Sequence, residues 1–74
     1  MKATVKLFAT LRKDRGKVLD VDISNDYTVK DIIDKLEIDK KEIAILLVNG
    51  QDGKIDQKVE HGDVLSIFPP VGGG

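Results

Sequence analysis

The 74-residue chain contains no cysteine and no tryptophan, and it has only two phenylalanines and one tyrosine. Without cysteine it can form neither a disulfide nor a thiolate metal site, and no side chain can carry a persulfide or a thioester. Its longest apolar run, residues 43–48, is far shorter than the roughly 20 residues of a membrane-spanning helix. Few aromatic side chains and a net charge of −1 argue against nucleic-acid binding. We therefore expect a domain stabilised by its apolar core, with neither a membrane nor a nucleic acid as partner.

The chain also lacks the residue patterns of an autonomous enzyme. Gly50, Gly53 and Gly62 form no phosphate-binding loop, and there is no Gly-Lys-Ser/Thr motif. His61 is a lone turn residue without further metal ligands nearby in sequence, and no acid–base or nucleophilic constellation is present. We expect the chain to bind no cofactor itself and not to be catalytic on its own.

The length predicts a single domain, which we assign to residues 1–70, followed by a flexible tail, residues 71–74. The N-terminus begins a polar–apolar alternation at once and shows no apolar segment typical of a signal peptide. We therefore expect a cytoplasmic protein.

The first part of the chain has the pattern of a β-hairpin. Residues 2–8 and 17–23 both alternate with period two, which predicts two strands. Residues 12–17 form a polar loop between them, in which Gly16 can adopt a positive φ. Residues 1–17 carry six basic side chains and one acidic one. We expect the basic loop to be solvated, the alternative being that it docks on an acidic partner.

A short helix follows the hairpin. Thr28 is a good N-cap, Asp31 three residues later suits a capping box, and Tyr27 can pack onto Ile32. The helix is expected to end near Glu37. Its apolar stripe, spaced at i, i+3, i+4 and i+7, consists of Val29, Ile32, Ile33 and Leu36.

The second half of the chain contains two further strands. Residues 43–48 predict one of them, and Asn49-Gly50 is a strong turn signal. Residues 51–60 are polar, with Ile55 and Val59 as anchors of either a short strand or one helical turn. Residues 61–63 turn into a last strand, residues 64–68, which Pro69 and Pro70 terminate because neither can donate to a ladder.

This order of elements favours an α+β fold with one main helix on one face of a mixed sheet. The first and last strands are expected to lie side by side and parallel in the middle of that sheet. This is the β-grasp, or ubiquitin-like, arrangement.

Both phenylalanines are predicted to lie on the face without a helix. If Val5 and Leu7 point inward, alternation turns Phe8 outward, and the inward pair Leu65 and Ile67 turns Phe68 outward. Parallel neighbouring strands would bring the rings to one edge, as a small apolar patch of the kind that contacts other proteins. The alternative is that a bulge or strand end turns one or both rings inward.

The chain ends in three glycines, Gly72 to Gly74, after the segment Phe68-Pro69-Pro70-Val71. A terminus without side chains suits a carboxylate that must enter a narrow active site on another protein, and the two prolines favour an extended exit. A frayed end or an expression scar is the alternative interpretation.

These residues resemble the ubiquitin-like sulfur carriers, and most closely the small subunit of molybdopterin synthase. The resemblance covers essentially the whole chain. Phe68-Pro69-Pro70-Val71 before the glycines is its best discriminator from the thiazole-forming carriers, which usually lack the paired prolines. Gly72 departs from the Thr, Ser or Ala that is commoner there. The most specific segments are residues 5–12 (VKLFATLR), Thr28-Val29, residues 48–50 (VNG) and residues 62–63 (GD) leading to residues 68–74 (FPPVGGG).

The resemblance implies that Gly74 is adenylated by a ubiquitin-activating-like adenylyltransferase, which uses ATP and Mg, and is then converted to a thiocarboxylate. Gly73 completes the reactive diglycine. A sulfur donor protein and the large subunit of molybdopterin synthase are the other implied partners. The positions expected to bind partners are Phe8, Arg12, Phe68, Pro69, Pro70, Val71 and Gly72.

Two other classes of function remain open on the sequence. One is a carrier for thiazole synthesis or transfer-RNA thiolation, or a modifier conjugated to lysines, because partner enzymes decide between these branches. The other is a β-grasp binding module without carrier chemistry, for example an RNA-binding domain.

Overall fold

The computed structural model describes residues 1–70, which form a five-stranded mixed sheet with one α-helix packed on one face. The strand order is β2-β1-β5-β3-β4. No helix within this range is long and apolar enough to cross a membrane. The elements are β1 (Lys2–Leu7), a 3₁₀ turn (Ala9–Arg12), β2 (Val18–Asp22), α1 (Val29–Lys35), a second 3₁₀ turn (Lys40–Glu42), β3 (Ile45–Val48), β4 (Gln51–Asp52) and β5 (Val64–Phe68).

The two central strands, β1 and β5, run parallel, and they are the first and last strands of the chain. β1 also pairs antiparallel with β2, and β5 pairs antiparallel with β3. The predicted β-grasp fold is therefore confirmed.

The core lies between α1 and one face of the sheet, which we call the inner face. Alternation in β1 and β5 turns Val5, Leu7, Leu65 and Ile67 inward, and all four are fully buried. The helical stripe meets them with Val29, Ile32 and Ile33, which are also fully buried. Tyr27 and Leu36 are partly buried at the margin of this core.

The predicted capping box starts α1. The Thr28 hydroxyl accepts a hydrogen bond from the Asp31 backbone N–H at 3.3 Å, and the Asp31 carboxylate accepts one from the Thr28 N–H at 2.8 Å. Both backbone groups would otherwise lack partners in the first turn. The helix ends at Lys35, and Glu37 turns the chain away with a φ of +57°.

The turn residues behave as their types predict. Asn49 and Gly50 have φ values of +53° and +82°, the positive values that a tight hairpin turn between β3 and β4 requires. Residues 51–60 contain a two-residue strand, Gln51–Asp52, which includes neither Ile55 nor Val59, and they form no helical turn. Val59 is buried and Ile55 is partly buried, as expected of anchors.

The expectation of a solvated basic loop at residues 12–17 is wrong for Arg15. Its Nε and Nη2 atoms donate to the carbonyls of Leu36 and Glu37, each at 3.1 Å, and Nη1 donates to Leu11 O at 3.2 Å. The last carbonyls of a helix lack intrahelical partners, so a guanidinium there stabilises the end of α1. These hydrogen bonds connect the loop to the C-terminal end of α1.

Candidate partner interface

Phe8 and Phe68 lie on the outer face of the sheet, opposite α1. They directly follow Leu7 and Ile67, which are register partners in the parallel β1–β5 pair. The ring centroids are 4.1 Å apart and the ring planes differ by 10°, so the rings are stacked. Both side chains are half-buried rather than enclosed in the core. The predicted outward orientation is confirmed, and the inward alternative is wrong.

Arg12 adds a cation beside this aromatic stack. Its guanidinium carbon lies 5.4 Å from the centroid of the Phe8 ring, within the range of a cation–π interaction. Its Nε–H donates to Leu7 O at 2.9 Å, where β1 leaves the sheet. No carboxylate in residues 1–70 lies within 4.0 Å of this guanidinium. Arg12 is therefore held in place without its charge being neutralised by that part of the chain.

Ile45 extends the apolar surface across the sheet. It is the register partner of Phe68 in the β3–β5 pair and is 50% exposed. Sequence reasoning missed Ile45 because it belongs to a continuous apolar run, in which alternation gives no sign of which face each residue takes. In the structure Leu46 and Val48 face the core, so alternation along β3 places Ile45 on the outer face.

These side chains border a groove of about 400 Å³, which we call the root groove because it lies where residues 69–70 leave the sheet. Its surface is almost wholly apolar. The lining residues are Phe8, Ala9, Thr10, Ala44, Ile45, Phe68, Pro69 and Pro70.

Backbone hydrogen bonds fix the borders of the root groove. Phe68 O accepts from Ala44 N–H at 2.8 Å, and Phe8 O accepts from Leu11 N–H at 3.2 Å. Ala9, between these borders, has a φ of +53°, which a residue with a Cβ adopts at a cost of roughly 1 kcal/mol. The chain turns sharply after Phe8, so that the 3₁₀ turn brings Arg12 back over the Phe8 ring.

The structure brings together five of the residues predicted from the sequence as partner-binding: Phe8, Arg12, Phe68, Pro69 and Pro70. The others, Val71 and Gly72, lie outside the described residues, and so do Gly73 and Gly74, which the resemblance predicts to be the reactive diglycine. The described part of the site is thus a surface of the folded domain that ends at Pro70.

The only histidine, His61, has a structural contact. Its Nδ1 accepts a hydrogen bond from the Lys2 backbone N–H at 3.0 Å, which joins the turn before β5 to the start of β1. Within residues 1–70, no three acidic or histidine side chains are grouped so that they could hold a metal ion. The described site offers contact surface and charge, and no acid–base pair.

The described groups with shifted pKa values lie away from the stacked rings. Lys58 Nζ and the Asp26 carboxylate are 2.7 Å apart. This hydrogen bond and the opposite charge lower the pKa of Asp26 and raise the pKa of Lys58. Both groups are exposed, as expected of a surface ion pair.

Comparisons with known proteins agree on the fold. Residues 5–74 match the ThiS family. SAMP1 (small archaeal modifier protein 1) of Haloferax volcanii is 28% identical over the full length of both chains, with a TM-score of 0.83. Putative molybdopterin converting factor subunit 1 of Pyrococcus furiosus is 26% identical, over 96% of this chain and 99% of that one, with a TM-score of 0.78.

A third similar structure is a complex of subunits 1 and 2 of the molybdopterin-converting factor of Helicobacter pylori. It is 21% identical over the full length of both chains, with a TM-score of 0.67, and at this identity it supports the fold alone. No curated protein sequence matches the chain significantly.

Proposed function

The chain belongs to the ThiS family and is a ubiquitin-like sulfur carrier, and from this premise we propose that it donates sulfur through a thiocarboxylate on Gly74. The proposed pathway is molybdopterin synthesis, with this chain as the small subunit of the synthase. The observation that carries the proposal is the combination of a glycine terminus with the root groove, because a partner that binds the body there also holds the start of the tail.

The proposed reaction begins at the terminal carboxylate. An α-carboxyl group with a pKa near ~3.5 is ionised at neutral pH and is a poor electrophile. A carboxylate oxygen of Gly74 attacks the α-phosphorus of ATP, pyrophosphate leaves, and an acyl-adenylate forms. Hydrosulfide, or an equivalent delivered by a sulfur donor protein, then attacks the acyl carbon. AMP leaves with one of the original oxygens, and the terminus is a thiocarboxylate.

Partners supply the machinery for these steps. ATP and Mg belong to the ubiquitin-activating-like adenylyltransferase, since the chain has no phosphate-binding loop. The chain contributes the reacting carboxylate and a tail without side chains at Gly72, Gly73 and Gly74. Four extended residues span at most ~14 Å at ~3.5 Å each. That length lets the terminus enter a buried site while the folded body stays outside it.

The molybdopterin pathway is supported by the segment before the glycines. Phe68-Pro69-Pro70-Val71 resembles the molybdopterin branch rather than the thiazole-forming branch, and Phe68 is one of the stacked rings. The likeness to the molybdopterin converting factor subunit of Pyrococcus furiosus points to the same pathway. The proposed second partner is accordingly the large subunit of the synthase, which takes the thiocarboxylate tail and the pterin precursor.

Intact-mass spectrometry tests the proposal directly. After incubation with ATP, a sulfur source and the activating enzyme, the chain should gain the mass difference of one sulfur for one oxygen, localised to Gly74. Gly73→Val should abolish this exchange, because a branched side chain blocks a passage shaped for bare backbone, and should leave the melting temperature unchanged. Gly50→Ala, in the hairpin turn, is a control glycine substitution that should leave the exchange intact. Normal exchange in Gly73→Val would refute the proposed role of the diglycine.

A second function, conjugation to protein lysines, is favoured by the similarity to SAMP1, whose name describes it as a modifier. Conjugation needs the same adenylate, with a lysine amine in place of sulfur as the attacking group. Tryptic digests of cells that produce the tagged chain would then contain lysines bearing its C-terminal remnant. Lysine remnants without any thiocarboxylate would favour the modifier, and the reverse result would favour the carrier. A carrier for thiazole synthesis or transfer-RNA thiolation would form the same thiocarboxylate but would restore a different pathway in a strain lacking the gene.

A further inference from the structure

We propose that the Asn49-Gly50 turn is a site of spontaneous deamidation, and that Asp63 restrains the reaction by binding the Asn49 side chain. The reaction converts Asn49 to aspartate or isoaspartate and needs only water as co-reactant. It alters the junction of β3 with β5, at the end of β5 opposite to Phe68. The inference goes beyond the proposed function and does not depend on it.

The sequence singles out Asn49 as the labile residue. The chain has two asparagines, Asn25 and Asn49, and both are exposed. Glycine follows Asn49, and its backbone nitrogen is easily approached because no side chain stands beside it. Asp26 follows Asn25, and its side chain hinders the same approach. Asn25 is therefore an internal reference within the same chain.

Deamidation proceeds through a cyclic imide. The Gly50 backbone nitrogen attacks Asn49 Cγ and gives up its proton. The bond between Cγ and Nδ2 breaks, and Nδ2 leaves as ammonia with that proton. Water then adds to one of the two carbonyls of the ring and opens it. Opening at one carbonyl gives aspartate, and opening at the other gives isoaspartate, in which the main chain runs through Cγ.

The fold holds both ends of the Asn49 amide. Its Nδ2 donates to Asp63 Oδ1 at 3.0 Å, and its Oδ1 accepts from the Val64 backbone N–H at 2.9 Å. The carboxylate can only accept and the backbone N–H can only donate, so these partners fix the orientation of the amide. Asp63 is itself held, because its Oδ2 accepts from the Glu60 N–H at 2.8 Å.

The backbone of the turn adds a second restraint. A planar ring needs Cβ of Asn49 and the nitrogen of Gly50 on the same side of the Cα–C bond. The left-handed conformation of Asn49, with a φ of +53°, places them on opposite sides. Ring closure therefore has to release the turn, and the two side-chain hydrogen bonds are lost with it.

The product disturbs the contact that restrained the reaction. A carboxylate at position 49 would place an acceptor where Nδ2 donated, so two negative charges would meet at Asp63. Isoaspartate would also lengthen the main chain within a turn whose register is set by the pairing of Val48 with Gln51. Asp63 O accepts from the Thr4 N–H at 2.9 Å, so the disturbance adjoins the central strand β1.

Peptide mapping of the full chain tests the site. Trypsin places Asn49 in the peptide of residues 42–54 and Asn25 in that of residues 18–30. During incubation at pH 7.4 and 37 °C, the Asn49 peptide should exchange NH for O in chain unfolded by urea. In folded chain it should do so at least about tenfold more slowly, because two hydrogen bonds must break first. The Asn25 peptide should change much more slowly in the unfolded chain. Equal rates for Asn49 in folded and unfolded chain, or faster exchange at Asn25, would overturn the inference.

Asp63→Ala tests the restraint. It should accelerate exchange at Asn49 in the folded chain about fivefold, the factor that corresponds to one hydrogen bond of ordinary net strength. This variant also loses the bond to Glu60 and hence some stability. Arg15→Ala, which loses stability elsewhere in the fold, is the matched control and should leave the rate unchanged. An unchanged rate in Asp63→Ala, or equal acceleration in both variants, would refute the restraint by Asp63.

Exchanging donor and acceptor tests the effect of the product. Asn49→Asp should lower the urea midpoint, and so should Asp63→Asn, whose amide cannot accept from both Asn49 and Glu60. The double variant Asn49→Asp/Asp63→Asn should regain most of the loss, because the new amide donates to the new carboxylate and still accepts from Glu60. Additive losses in the double variant would contradict the pairing of these two side chains.

Discussion

The two faces of the sheet use the same strands for different purposes. Ile67 and Phe68 are neighbours in β5, yet Ile67 is fully buried under α1 whereas Phe68 is half-buried on the outer face. Leu7 and Phe8 differ in the same way at the end of β1. The comparison shows that an apolar side chain in a small sheet protein stabilises the fold on one face and provides contact surface on the other. Adjacent residues can therefore be altered to affect one property and not the other.

The largest expected effect is on the inner face. Ile67→Ala removes a fully buried side chain from the centre of the core, and such truncations cost about 2–5 kcal/mol of unfolding free energy. For a domain of this size the total is of order 5 kcal/mol. Urea unfolding followed by circular dichroism should thus show a protein that is largely unfolded or has a urea midpoint far below that of wild type. A midpoint close to wild type would contradict the assignment of Ile67 to the core.

Phe68, the next residue, should matter less for stability and more for partner binding. Phe68→Ala removes one stacked ring, and an aromatic pair contributes about 0.5–1.5 kcal/mol to stability. The variant should remain folded in the same urea experiment. Affinity for the activating enzyme should fall by at least about 2 kcal/mol, the level of a binding hot spot. Ile67→Ala and Phe68→Ala thereby form a matched pair, and similar losses in both measurements for both variants would remove the distinction between the faces.

Arg12 and Arg15 lie in the same loop and extend the comparison, with expected effects of intermediate magnitude. Arg15 bonds three carbonyls of the fold, including two at the end of α1, so Arg15→Ala should lower the unfolding free energy by about 1–2 kcal/mol. Affinity of the folded fraction for the partner should not change. Arg12→Ala should lower stability less, because its Nε makes a single hydrogen bond, and should weaken partner binding. Equal effects on stability would contradict the structural role assigned to Arg15.

The smallest expected effect is at the surface pair. The hydrogen bond and charge of Lys58 hold the pKa of Asp26 below its ordinary value of 3.8, so its contribution to stability is present above that value. It is lost as the pH falls through the lowered pKa of the folded state. The raised pKa of Lys58 means that its contribution to stability is present below the ordinary value of 10.5 and is lost as the pH rises above that value, through the raised pKa of the folded state.

Asp26→Asn should therefore lower the melting temperature slightly at pH 7, and this difference should shrink as the pH falls towards 2. The side chains are exposed, and such pairs contribute little. Asp34→Asn breaks the exposed i,i+4 ion pair with Lys30 and is the control for how much the loss of such a surface pair changes the melting temperature. A difference between Asp26→Asn and wild type that persisted undiminished at pH 2 would exclude the ion pair as its cause.

Local patterns predicted most of the fold. The alternation of β1 and β5, the Thr28 capping box and the Asn49-Gly50 turn depend on residues that are close in sequence, and each is confirmed. Arg15 was assigned wrongly because its helix-end acceptors, the Leu36 and Glu37 carbonyls, are 21 and 22 residues away. Ile45 and Ala44 were missed for a related reason, since a groove exists only once separate segments meet.

The sequence by itself favoured an outward position for Phe8 and Phe68, because alternation in a strand is a property of neighbouring residues, and it left open only a bulge or strand end that would turn a ring inward. It also determined the glycine terminus, Gly72 to Gly74, on which the proposed chemistry depends. Only the tertiary structure decided that the rings stack with centroids 4.1 Å apart, since that contact requires the parallel register of β1 and β5. It alone decided that Arg12 stays available to a partner while Arg15 is used by the fold. A side chain's role depends on which distant backbone groups the fold brings within its reach.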